Sequence, residues 1–175
     1  MKKETEDIQH MTTAKRPLDP FDRKILAALN NDGRATYADI GDQVGLSAPA
    51  VHERVKRLRK NAIRGIGAHL DGPACGKNFL AFVHVDADGW GKSERMMGLC
   101  TFPEIEEMHS VAGDTCVIMK VRTENAYALE KFLAQLYVLP GVKGTKSYVV
   151  LSTYLERGVQ ADLTSEWPDT PLSGT

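Results

Sequence analysis

The chain has 175 residues, 42% of them hydrophobic and 26% charged, with a formal net charge of -1, which describes a globular protein with room for one domain or two small ones. No apolar run approaches the roughly 18 residues of a membrane span, and the N-terminal MKKETEDIQHMTTAKRP lacks the apolar core of a secretory signal, so a soluble, cytoplasmic protein is expected. Cys75, Cys100 and Cys116 stand far apart without a CxxC pair, which argues for reduced thiols and against a disulfide framework or structural zinc.

Charge is unevenly placed along the chain. Residues 1–65 hold 13 Lys and Arg against 9 Asp and Glu, and residues 66–175 hold 9 against 14. A basic front half is thus hidden beneath a near-neutral total, so attraction by the protein as a whole is not the mechanism and the position of the cations matters.

Residues 1–17 are polar, aperiodic and end at Pro17, the pattern of a mobile tail. From Leu18 a helix is predicted, with Asp19 as its cap, Pro20 in its first turn, and Phe21, Ile25 and Leu29 on one face beside Leu26. Thr36 caps a shorter second helix, with Ile40 and Val44 pointing inward. Gly45, Leu46 and Ser47 then turn the chain into a third helix, in which Ala48, Val51, Val55 and Leu58 form a narrow apolar stripe and Asn61 marks the end. Two helices across so short a Gly-containing turn match the helix-turn-helix unit, here within a three-helix, winged-helix-like domain over residues 18–62.

The Gly-rich stretch 63–77 reads as a hinge that can include a strand near Ile66–Leu70. Beyond it, strands are predicted at Phe79–Ala87, Ile105–Val111, Thr115–Val121 and Gly144–Leu155, with helices at Ser93–Cys100 and Asn125–Leu139. The order β-α-β-β-α-β folds as a ferredoxin-like antiparallel sheet with both helices on one face, spanning residues 78–157. Apolar residues on the uncovered face call for a second copy of the sheet, so at least a dimer is expected. Residues 158–175 form a C-terminal tail in which Trp167 has the means to dock.

Between Arg54 and Lys60, five of seven residues are cationic, and Glu53 is the only acid between Asp42 and Asp71. A helix face that is merely solvated usually interleaves acids for i, i+4 pairing. On the helical wheel, Pro49, His52, Glu53, Lys56, Arg57 and Lys60 lie opposite the apolar stripe, flanked by Arg54 and Arg59. The second helix of a helix-turn-helix enters the major groove N-terminus first. Ser47, Pro49, Ala50, His52, Glu53 and Arg54 are therefore the residues expected to face bases, and Lys56, Arg57, Arg59, Lys60 and Arg64 those expected to face phosphates of double-stranded DNA. For Arg54 and Arg57, a salt bridge with Glu53 or a free surface charge is the competing reading.

The stretch LDPFDRKILAALNNDGRATYADIGDQVGLSAPAVHERVKRLRKNAI resembles the N-terminal signature of the Lrp/AsnC (feast/famine) transcription regulators. The match is carried by Leu18, Asp19, Asp22, Ile25, Leu26, Leu29, Gly33, Arg34, Leu46, Ser47, Val51, Arg54, Val55, Leu58 and Ile63. The likeness continues through Gly76 to about residue 156. It implies a nucleoid-associated regulator whose dimers assemble further, often to octamers, and which responds to an amino acid or related metabolite held between C-terminal domains. In the family the effector loop reads Gly, acid, aromatic, acid. Here VAGDTCV keeps Gly113 and Asp114 but places Thr115 and Cys116 at the last two positions. Ser110, Val111, Gly113, Asp114, Thr115 and Cys116 are accordingly the effector-site residues that the resemblance implies. Asp114 would accept from an ammonium group, and nearby amides and hydroxyls would donate to a carboxylate.

Other classes find little support. His10, His52, His69, His84 and His109 show neither HxH nor HxxxH spacing, and no phosphate-binding Gly-rich loop occurs, so no catalytic residue, metal ligand or cofactor is expected. The alternative to a ligand-responsive regulator is an architectural DNA-binding protein without a small-molecule effector.

Overall fold

The computed structural model of the protein describes residues 16–88 and 97–163. The N-terminal tail up to residue 15, the first half of the helix expected at Ser93–Cys100, and the end of the chain including Trp167 lie outside the described residues. Two compact units emerge. Of the described residues, one unit holds those up to Ala68 together with those from Arg157 onward, and the other holds those between His69 and Glu156.

The first unit is built on three helices, α1 (Pro20–Asn31), α2 (Tyr37–Val44) and α3 (Ala48–Asn61). Each of the first two starts in a reciprocal capping box. The Asp19 side chain accepts from the amide of Asp22 at 2.9 Å and the Asp22 carboxylate accepts from the amide of Asp19, while Thr36 and Asp39 repeat the exchange at α2. Ser47 occupies the cap position of α3, but its side chain makes no capping bond; Pro49 in the first turn is the local feature that favours helix there. Ile25, Ile40, Val44, Val51, Val55 and Leu58 bury together as one core. That core draws on the stripe predicted for each helix, although Phe21 remains 40% exposed. Residues 160 and 161 lie along α1, where Arg23 donates to the carbonyl of Ala161 at 2.7 Å and the Asn30 amide to Gln160 at 3.4 Å.

The second unit is an antiparallel sheet of β1 (Phe79–Ala87), β2 (Ile105–Ser110), β3 (Val117–Thr123) and β4 (Val142–Val149) in the order β2-β3-β1-β4. The helix α4 (Ala126–Tyr137) packs on one face through Leu129, Phe132 and Leu136. Those side chains meet Ala81, Val83 and Val85 of β1 and Val117, Met119 and Val121 of β3, the inward positions of the two central strands. From Met97 the chain is helical and passes through a 3-10 turn, Leu99–Thr101, which adds the buried Leu99. The opposite face of the sheet presents Phe82, His84, Ile118, Lys146 and Tyr148, with the His84 and Tyr148 rings 4.9 Å apart.

Three expectations shift. No strand forms at Ile66–Leu70: that exposed stretch contains Gly67 and follows Gly65, and no sheet edge pairs with it among the described residues. The last strand ends at Val149 and not Leu155, because its register places Val149 opposite Ala81 and only two further residues of β1 remain; after the Val150 amide bonds to the Leu80 carbonyl the chain leaves the sheet. The third strand runs two residues later than expected, since Thr123 pairs with Phe79, so Thr115 and Cys116 belong to the turn before it.

Candidate nucleic-acid interface and effector loop

The turn between α2 and α3 fixes the angle at which α3 is presented. Gly45 takes a left-handed conformation at φ 77°, and its amide and that of Leu46 both bond to the Gly41 carbonyl. A Cβ on Gly41 would approach the Leu46 carbonyl oxygen closer than 3.0 Å, so only glycine lets the two chain segments come together there.

Along α3 the cations divide into two groups. Arg54 donates to Asp19 at 2.6 Å and to Asp22 at 2.8 Å, and Arg57 donates to both oxygens of Asp22 at 2.6 and 2.7 Å. Asp22 is only 2% exposed, so it is a buried carboxylate held between two guanidiniums. The Arg54 guanidinium also lies over Phe21, 5.5 Å from the ring centre. The hydrogen bond from Arg54 holds the Asp19 carboxyl below its usual range, and Asp19 followed by Asp22 raises Arg54 in return. The partners of Arg54 and Arg57 are thus at the start of α1, and neither the Glu53 bridge nor the free surface charge of the competing reading is what forms.

Lys56, Arg59 and Lys60 are exposed and make no ion pair among the described residues. At the start of α3, Ser47, Pro49, His52 and Glu53 are exposed and Ala50 is half-buried. The His52 ring stands 5.2 Å from that of Tyr37 on α2, and its Nδ1 lies 3.7 Å from Glu53.

The end of β2 and the loop from it to β3 gather Ser110, Val111, Gly113, Asp114, Thr115 and Cys116 but do not present them equally. Ser110, Gly113 and Asp114 are exposed, and Asp114 has no hydrogen-bond or charge partner among the described residues. The Thr115 hydroxyl is turned inward and donates to the Val85 carbonyl at 3.1 Å, with the residue 7% exposed. Cys116 sends its amide to the same carbonyl and its thiol toward the Ala87 carbonyl at 3.5 Å, while packing against the sheet core. The exposed hydroxyl sought at Thr115 is therefore absent. Cys116 behaves as a small, half-buried residue of the turn before β3.

Two family models cover most of the chain: the AsnC-type helix-turn-helix domain matches residues 18–59 and the Lrp/AsnC ligand binding domain matches residues 80–160. The chain belongs to the Lrp/AsnC family of transcriptional regulators. It is 38% identical over 141 residues to the HTH-type transcriptional regulator FL11 of Pyrococcus horikoshii, covering 80% of this chain and 93% of that one. The Leucine-responsive regulatory protein of Salmonella typhimurium is 35% identical over 145 residues, with 78% and 88% covered. Among solved structures, LrpA of Mycobacterium tuberculosis superposes with a TM-score of 0.71 at 31% identity, over 83% of this chain and 100% of that one. A Neisseria meningitidis regulator solved with L-Met shares the fold, at a TM-score of 0.75 and 23% identity over 81% and 94%.

In this Lrp/AsnC regulator, the helix-turn-helix is thus a DNA-binding unit and the sheet unit a ligand-binding one. No helix among the described residues is long and apolar enough to cross a membrane. Sequence reasoning found the basic stretch and the loop but missed two charge clusters. One is the Asp19 and Asp22 pair, read only as a cap and as part of the signature. The other joins Glu106, Lys120, Arg122 and Glu156: Arg122 donates to Glu106 at 2.6 Å and to both oxygens of Glu156 at 2.8 Å, and Lys120 pairs with both acids. A signal for the second existed in the alternation of β3, where Lys120 and Arg122 share the face away from the helix.

Proposed function

We propose that this regulator holds α3 in the major groove with Ser47, Pro49, Ala50, His52 and Glu53 toward the bases and Lys56, Arg59 and Lys60 toward phosphates. Arg54 and Arg57 set the pose of α3 from behind. The observation that carries this division is the engagement of both arginines by Asp22 while the other three cations are exposed and unpaired. The test is the slope of log affinity against log salt on an operator duplex. Each phosphate contact removed flattens that slope by about 0.9. Lys56→Gln and Lys60→Gln should each do so, whereas Arg57→Gln should lower affinity with the slope unchanged. A flattened slope in Arg57→Gln would return that residue to the phosphate-contacting set.

The same reading makes the protein a cytoplasmic, nucleoid-associated oligomer whose sheet unit binds an amino acid, with Asp114 as acceptor for its ammonium group. A family model for ligand binding over residues 80–160, and the free carboxylate of Asp114, support it. A thermal-shift screen of amino acids, with and without Asp114→Asn, tests it. One observation favours the second reading, an architectural DNA-binding protein without an effector: Thr115 and Cys116 are tied to β1 carbonyls and leave the loop with few side-chain donors. Absence of any ligand effect on melting or DNA binding would select that reading.

A further inference from the structure

Gly41 and Leu46 bring α2 and α3 together at the turn, and a second contact joins the same two helices at their outer surface. Tyr37, the first residue of α2, places its ring 5.2 Å from the His52 ring of α3, with the planes tilted by 43°. Tyr37 is held from two directions. Its backbone follows Thr36, whose hydroxyl is bonded to Asp39 at 2.6 Å within the capping box of α2, and its side chain is half-buried against the helical core.

His52 has no such support of its own. Its side chain is 53% exposed, on the side of α3 opposite the apolar stripe, and its Nδ1 lies 3.7 Å from the still more exposed Glu53. An exposed pair at that separation fixes little, so the ring of Tyr37, backed by the core, is the firmer constraint on where the imidazole points. Nε2 makes no hydrogen bond or ion pair among the described residues and is the atom left for a base edge. Base pairs differ in the major groove by where their donors and acceptors stand. One ring nitrogen separates them only if its direction is set before the duplex arrives, which calls for a neighbour on a rigid element. Sequence reasoning placed His52 toward bases but gave Tyr37 no part, because its link to His52 crosses from one helix to the other.

We propose that Tyr37 is a specificity-determining residue of the DNA-binding unit. It acts through His52, holding the imidazole in one orientation so that Nε2 meets the same base edge in every complex; it is a positioning residue and not itself a base contact. The inference rests on the reading of α3 as the helix in the major groove with His52 toward the bases.

The probe is a duplex enriched by the full-length protein from a random-sequence pool, together with its single-base-pair variants. Affinities for the whole set are measured with the full-length protein and with His52→Ala, Tyr37→Ala, Tyr37→Phe and the double alanine variant. His52→Ala should flatten the preference at one base pair by about fivefold or more, the scale of a mismatch penalty. Tyr37→Ala should flatten it at that same base pair, Tyr37→Phe should keep it because the ring remains, and the double variant should be no flatter than His52→Ala alone. The slope against log salt should stay unchanged in all of them, since no phosphate contact is removed. A Tyr37 that only supports the fold would lower affinity for every duplex by one factor and leave the ranking of base pairs intact; that result overturns the proposal. So does a preference lost at a different base pair, or losses that add in the double variant. Because Tyr37 is half-buried, Tyr37→Leu, which refills the core side without a ring, is measured beside Tyr37→Ala, with thermal melting to show that each variant is folded. If His52→Ala changes no preference while Lys56→Gln still flattens the salt slope, the proposal fails and the groove reading of α3 stands. If Lys56→Gln is also without effect, both fail.

Discussion

Asp22 closes the first capping box and also receives two arginines from α3, at 2% exposure. Its removal leaves Arg54 with Asp19 alone and Arg57 with no acid, in a half-buried setting where an unpaired charge is costly. Asp22→Ala is therefore expected to destabilise the N-terminal unit by about 2–3 kcal/mol, measured by urea unfolding followed through the helical circular dichroism; a loss below about 0.5 kcal/mol, the size of an exposed pair, would show that solvent already screens the cluster. Affinity for DNA should fall as well, because α3 loses the anchor that sets its pose. This cluster explains why the interface was only half legible beforehand. Lys56, Arg59 and Lys60 could be read directly, since an exposed cation opposite an apolar stripe follows from helical period alone. Arg54 and Arg57 could not, because their partner lies 32 and 35 residues away and only packing brings it near.

The helices and strands themselves were more legible, because each announces itself over a few consecutive residues. Asp19 with Asp22 and Thr36 with Asp39 mark two helix starts, and alternation in β1 separates Ala81, Val83 and Val85 from Phe82 and His84. The errors fell where an element depends on what lies beside it: β4 stops early because β1 has run out, and Ile66–Leu70 stays unpaired for want of an edge. Within the helix-turn-helix, two glycines do different things and should respond differently to substitution. Gly45→Ala must hold a positive φ with open space around the new methyl, for a cost of about 1 kcal/mol. Gly41→Ala drives the methyl into the Leu46 backbone, and overpacking against immovable atoms costs about 1–3 kcal/mol. Thermal melts of the two variants should rank them in that order, and Gly41→Ala should also weaken DNA binding because relief requires α2 and α3 to separate. Equal melting temperatures would mean the turn relaxes freely.

At the scale of the whole molecule, electrostatics and the uncovered sheet face set the outward behaviour. Burial pushes Glu106 upward, but hydrogen bonds from Arg122 and Lys120 outweigh it, and Lys120 foremost lowers Glu156, so both carboxyls titrate below their ordinary 4.5. A depressed carboxyl contributes stability that is present in full above its unfolded pKa and is lost as pH falls through the folded value. The sheet unit should accordingly keep a constant melting temperature from neutral pH down to about 4.5 and lose stability below it. Glu106→Gln should flatten that acid limb in a calorimetric pH series, and an unchanged limb would assign the acid sensitivity elsewhere. On the same sheet, Phe82 is 40% and Tyr148 56% exposed, directly paired across β1 and β4, with His84 beside them. Aromatic surface on a sheet whose other side is already filled by α4 gains most from burial against a like surface. Tyr148→Asp places a carboxylate on the edge strand of that face, beside Phe82, without disturbing the core beneath it, since Tyr148 belongs to no buried cluster. If a second copy covers the face, the substitution must desolvate a charge on each copy, and sedimentation should show dimer affinity reduced by about tenfold or more. The helix-turn-helix would fold as before, yet binding to a duplex carrying two half-sites should weaken far more than binding to a single half-site, because a copy seated on this face would be what links two DNA-binding units. Dimer affinity that survives Tyr148→Asp would move the assembly contact off this face.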